Sequence, residues 1–254
     1  RQDHGPIGQI LEGLRYVASE KLLLAVISLD LFAVLLAGAV ALIPVFARDI
    51  IDLGATAEML PWLHSVFALD TPEHALSLLA ASPAVGAGLV ALVFSFRPIR
   101  HNVGNKMLGS VFVFGLATIG FGLSKFLPLS MLCLFVYGAA DMFSVYVRQS
   151  LIQLNTPDDR RGRVGAVSQL TISASNELGE AESGFLAGLI GPVAAVVAGG
   201  IGAILITAIW MRLFPQIGAA RTFEPSEEVA AEDYGHRHAT GPDRTTPKAE
   251  EQAS

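Results

Sequence analysis

Six long apolar runs constrain this chain more than any other feature. A helix that crosses the hydrocarbon core of a bilayer needs about 20 mainly apolar residues. Leu22–Ala47, Ala75–Phe96, Met107–Leu123, Pro128–Val147, Val164–Ile190 and Pro192–Leu213 each approach that length, the third being the shortest. Segments such as Ala75–Phe96 and Val193–Trp210 offer no polar face, whereas a helix of a soluble bundle keeps one toward water. The expected fold class is an all-α membrane protein with six transmembrane helices. Composition agrees: 52% of residues are hydrophobic and only 16% charged, against about 25% charged in soluble domains.

The runs divide the chain into a cytoplasmic lead-in (1–21), a membrane domain (22–214, with spans 22–47, 75–96, 107–123, 128–147, 164–190 and 192–213) and a cytoplasmic tail (215–254). Much of the formal charge of −6 comes from the tail, which is polar, proline-containing and expected to be disordered. With six spans both ends share a side. That side collects Arg15, Lys21, Arg97, Arg100, Lys106, Arg148, Arg160, Arg161, Arg163, Arg212 and Arg221, while the other holds Arg48 and Lys125. The positive-inside rule places both termini in the cytoplasm of a plasma (inner) membrane protein. The chain opens on Arg1 rather than Met, the expectation for a piece of a longer protein.

Three connections carry further signals. The lead-in reads as a short amphipathic stretch. The outer loop Arg48–His74 contains Trp62 and Phe67, either as a short interfacial helix or as an ordinary exposed loop. Thr156-Pro157-Asp158 looks like a helix start, a cap residue followed by proline at the first helical position.

A carboxylate at mid-bilayer costs at least about 2.5–3.5 kcal/mol, so such residues face protein or a water-filled cavity. Asp30 lies on the first span, Asp141 on the fourth, and Glu177, Glu180 and Glu182 on the fifth. At 100° per residue, Gln169, Ser173, Asn176, Glu177, Glu180 and Ser183 form one polar stripe. Glu177 and Glu180, three apart, are neighbours. Two carboxylates that close do not both ionise cheaply, which fits either a proton-coupling pair or a neutral hydrogen-bonded helix contact. Glu182 points the other way, toward the outer interface, and reads as structural.

The fourth span has its own stripe of Tyr137, Asp141, Ser144 and Arg148. Asp141 and Arg148 are about 10 Å apart along the helix and need water or a third group to communicate. Arg148 alternatively snorkels to the cytoplasmic headgroups. Asp30 shares a face with Ala33, Ala37, Ala41 and Pro44, so packing and cavity lining compete there. Gly184 and Gly188 fit a small-xxx-small helix contact.

The translocation residues expected from these patterns are Asp30, Tyr137, Asp141, Arg148, Asn176, Glu177 and Glu180. Enzymatic readings find no support in the motifs. No span pairs histidines at metal-ligand spacing, no P-loop is present, and no serine–histidine pair stands out as nucleophile and base. No cofactor, metal or nucleic acid is expected. Cys133 lies alone inside the fourth run and makes no disulfide framework.

Gly138–Gly184, "GAADMFSVYVRQSLIQLNTPDDRRGRVGAVSQLTISASNELGEAESG", resembles the matching stretch of major facilitator superfamily transporters, within the enterobactin-exporter-like branch of bacterial efflux proteins. "ASPAVGAGL" (Ala81–Leu89), "TPDDRRGRV" and above all "NELGEAESG" (Asn176–Gly184) carry it, and it runs from about Leu11 to Phe214. The resemblance implies the carboxyl-terminal six-helix half of a twelve-helix fold. In that fold the first and fourth helices of each half line the cavity, the second and fifth flank the interface, and the third and sixth face lipid. Partners would be the bilayer, an amino-terminal six-helix half, a small-molecule substrate and protons. Two features depart from the family pattern. The loop "RPIRHNVGNK" lacks the acidic residue of the usual Gly-x3-Asp-Arg gate, and the outer loop 48–74 is long. The expected function is proton-coupled export of a small amphipathic compound, siderophore-like or drug-like, by alternating access. The alternative is a half-length membrane protein without transport of its own, an assembly partner or truncated gene product.

Overall fold

The computed structural model describes residues 6–62, 65, 71–97, 99, 101–220 and 223. Among them the chain is helical throughout, with no strand. Helix α1 (Pro6–Ser19) leads into α2 (Lys21–Leu36), a 3-10 turn (Ala39–Leu42) and α3 (Ile43–Asp49). After α4 (Leu53–Met59) come the long helices α5 (Pro72–Phe96), α6 (Val103–Leu123), α7 (Leu127–Leu154), α8 (Arg161–Ile190) and α9 (Pro192–Leu213), then a short α10 (Pro215–Ala219). Among the described residues, five segments are long and apolar enough to cross a membrane: Lys21–Asp49, α5, α6, α7 and α9. Helix α8, at 30 residues, is about 45 Å long but is not among them, because its arginines and glutamates dilute its apolar character. The protein is an all-α, multi-pass membrane protein.

The helices meet through glycine. A Cβ at Gly138 of α7 would lie 2.0 Å from the Pro83 carbonyl oxygen of α5, and one at Gly86 would lie 2.0 Å from that of Phe135. Between α6 and α9, Gly115 and Gly200 face each other, each Cβ position within 3 Å of the other's carbonyl oxygen. Helix α2 is held similarly, with Gly179 of α8 against the Val34 and Leu35 carbonyls and Gly199 of α9 against that of Leu36. Small residues permit such backbone approach, and dispersion then supplies the attraction that lipid-exposed apolar surface does not. The Gly184/Gly188 contact expected from sequence is absent: a Cβ at either position meets nothing within 4 Å.

Buried apolar residues form two large clusters and one small one. One joins α1, α2, α6, α7, α8 and α10 through Val17, Leu23, Met107, Leu151, Val164 and Ile217. The other joins α3, α5, α6, α7 and α9 through Phe46, Leu79, Phe121, Leu134 and Val196. A thin cluster of Ala37, Phe114, Ala140 and Ala203 is separate from both.

Three local expectations are corrected. The first span, read as continuous from 22 to 47, breaks after Leu36: Ala37 leaves the helical region, and a 3-10 turn intervenes before α3 resumes. Gly38, whose Cβ would lie 2.5 Å from the Gly179 carbonyl oxygen, sits at the break. Thr156 does not cap α8. Its hydroxyl donates 2.6 Å back to the Ile152 carbonyl, and α8 starts at Arg161 after a turn. The expected disordered tail starts too early at 215, since Pro215–Ala219 is helical and its Ile217 is fully buried, its carbonyl oxygen against Gly104. The tail beyond 220 lies outside the described residues, Phe223 excepted, as does Phe67 of the outer loop. Trp62 of that loop is exposed.

Candidate functional site

Helices α2, α5, α7 and α8 surround a cavity of about 370 Å³. The reason lies in the packing. Contacts are extensive between α5 and α7 and between α2 and α8, whereas α7 touches α2 and α8 only sparsely. A space therefore remains between two tightly joined pairs. Its apolar wall is made of small or compact residues, among them Val34, Gly38, Pro83, Ala84 and Ala87. Its polar wall is made of Tyr137 and Asp141 from α7 and Asn176 and Glu180 from α8. Tyr137 and Asp141 are one turn apart, as are Asn176 and Glu180, so each helix presents two consecutive turns. The Tyr137 ring packs on Phe114 of α6, centroids 4.4 Å apart, which orients it.

No lysine, arginine or histidine lines the cavity among the described residues. Two carboxylates, an amide and a phenol without a cation give a site that accepts protons and hydrogen-bond donors. The α2 helix ends at the same wall, and the carbonyl end of a helix carries negative potential.

Of the seven residues expected from sequence, four meet at this cavity. Two others, Asp30 and Arg148, meet each other instead. Arg148 Nη1 pairs with Asp30 Oδ1 between α7 and α2, with relative exposures of 2% and 7%. Arg148 therefore does not snorkel to the headgroups; it is the largest fully buried side chain among the described residues. Its long stem turns inward because the opposite charge on α2 compensates it there, as buried charges require. Asp30, for its part, is an ion-pair partner rather than a wall residue of the large cavity. Glu177 is exposed and is not among the residues that line the cavity, although Glu180 one turn on is. Glu182 is half-buried.

A second, much smaller void of about 10 Å³ is lined by Asp30, Asp141, Ser144, Val111, Phe114 and Ala140, among others. Asp141 thus belongs to both spaces, with the large cavity on one side and the ion pair on the other. Sequence reasoning missed this arrangement. The available signal was the presence of one aspartate and one arginine in separate apolar spans, each too costly to bury alone.

No protein-family model matches the chain. It is 25% identical over 228 residues to the enterobactin exporter EntS of Escherichia coli O1:K1 / APEC, covering 90% of this chain and 50% of that protein. It is 27% identical over 157 residues to that of Citrobacter koseri, covering 61% and 37%. With the exporter of E. coli O81 (strain ED1a) the identity is 26% over 158 residues, 62% of this chain and 38% of that protein. The chain spans about half the length, or less, of the curated relatives it matches. Apolar helices with a polar cavity among them thus accompany a distant similarity to membrane exporters.

Proposed function

We propose that the chain forms one half of an alternating-access exporter for a small amphipathic compound, enterobactin or a molecule like it. The observation that carries this reading is the cavity, whose polar wall combines Tyr137 and Asp141 of α7 with Asn176 and Glu180 of α8. Carboxylates are rarely kept at that depth unless they face a pathway. The exporters it resembles are about twice as long, and the open side of the cavity is where a second six-helix half would close it. Protons are the natural coupling ion for two carboxylates with no cation beside them. In this reading the basic loops and both termini face the cytoplasm of the inner membrane, because arginine and lysine collect on that side.

The test is export of enterobactin by cells deleted for their own exporter and expressing the natural gene that contains this chain, with each variant normalised to its membrane level. Asp141→Asn and Glu180→Gln keep size and hydrogen bonding while removing titration, and each is expected to lower export at least tenfold at unchanged abundance. Residues 1–254 expressed alone are expected to insert and export nothing. Full export by the Asp141→Asn, Glu180→Gln double variant would remove the cavity from the pathway.

A further inference from the structure

The two aspartates facing the small void are not equivalent. Asp30 is held by Arg148, both nearly inaccessible, and Arg148 Nε makes no hydrogen bond among the described residues. Asp141 has no cationic partner among the described residues and opens on the large cavity. The void between them, about 10 Å³, is the size that admits a single water, and Ser144 supplies a hydroxyl at its wall. Asp141 therefore shares this void with one member of the ion pair. Asp30 lines the void with it, whereas Arg148 is not among the lining residues.

We infer that Asp30 and Arg148 are a positioning pair for the proposed export step, setting the charge seen by Asp141 so that the exchangeable proton resides there and not on Asp30. Arg148 keeps Asp30 ionised, since protonating Asp30 would leave a guanidinium buried and uncompensated. An ionised Asp30 in turn favours the protonated form of Asp141 across the void, because like charges at short range disfavour joint ionisation. The other polar groups facing Asp141 are Tyr137 and Ser144 on its own helix and Asn176 and Glu180 on α8. The residues that α5 and α6 contribute to the two spaces are uncharged. Among the described residues, the charged groups that Asp30 meets at the void and the ion pair are Arg148 and Asp141. Glu180 stays in place in every variant below, so its influence is common to all of them.

The inference rests on the transport reading for its meaning, but its test does not depend on transport. The natural full-length protein is purified into lipid nanodiscs, and the infrared carbonyl band of protonated Asp141, identified by its loss in Asp141→Asn, is followed against pH. Arg148→Gln, which lets Asp30 take up a proton, and Asp30→Asn, which removes its charge, are each expected to move the midpoint of that band to lower pH, by at least tenfold in proton affinity. The exchanged pair, Asp30→Arg with Arg148→Asp, keeps an ion pair for folding while placing the positive charge at the void. Its midpoint is expected to fall below that of the unmodified protein even if neither single variant survives purification. Coincident midpoints in the exchanged pair and the unmodified protein would reduce Asp30 and Arg148 to a structural tie. Absence of export with the midpoints ordered as stated would leave this inference standing and remove the transport reading.

Discussion

The seam between α5 and α7 and the gap between α7 and α8 adjoin along the same helix and are built by opposite rules. At the seam, Gly86 and Gly138 bring backbones so close that a Cβ would sit 2.0 Å from a carbonyl oxygen. At the gap, Asp141 and Glu180 stand across about 370 Å³ of open space. The seam excludes everything except hydrogen, whereas the gap keeps charge where lipid would forbid it. One helix serves both because seam and gap adjoin: Gly138 packs on Pro83 of α5 at the edge of the cavity, and Asp141, three residues on, lines it as well. The rigid face gives the polar face a fixed wall to stand on, as a site requires.

The largest expected break comes from the ion pair beside the gap. Arg148→Met leaves Asp30 buried without its partner, a loss of about 3–5 kcal/mol. Thermal unfolding in detergent should show it, with most of the loss recovered when Asp30→Asn is added. An additive loss in the double variant would mean that the pair does not act as a unit.

Next comes the seam. Gly138→Val should cost roughly 1–3 kcal/mol or more, the range for overpacking, because the near atom is backbone and has nowhere to go. Reduced folded protein at constant synthesis would report it. Normal abundance would mean that α5 and α7 stand further apart than described.

The gap should respond differently, in function more than in folding. Glu180→Gln should lower export with stability changed by less than about 0.5 kcal/mol, as expected for an accessible position. Glu177→Gln and Glu182→Gln should have weaker effects on export, since only Glu180 of the three lines the cavity. Equal losses for Glu177→Gln and Glu180→Gln would restore the idea of a shared proton on α8.

The smallest effect sharpens the seam by contrast. Gly184→Ala meets nothing within 4 Å and should stabilise α8 by up to about 1 kcal/mol through helix propensity. Unfolding of the single variant measures it. Destabilisation would show that α8 packs against a partner there.

Much of the site was legible before the structure. The helical period alone placed Tyr137 with Asp141, and Asn176 with Glu180, on common faces, because 3.6 residues per turn is a local rule. It could not say that those two faces meet, nor that Glu177 on the same stripe falls outside the lining. A stripe is broad, and the neighbouring helix decides which part of it is covered. Gly184 and Gly188 matched the small-residue pattern as well as Ser175, Gly179 and Ser183 do, yet only the latter three are buried.

What the sequence determined by itself is the class and the spacing. Long apolar runs require helices in lipid, since every backbone polar group must be satisfied within its own segment, and this information is contained in each run alone. Tertiary structure decided the partners. Arg148 faces inward because Asp30, 118 positions earlier in the chain, arrives beside it when α2 and α7 come together. Helix α2 breaks at Ala37–Gly38, where the Gly179 and Gly199 backbones press against its last turn. Both are encounters between segments distant in sequence, and their energy exists only once the helices have packed.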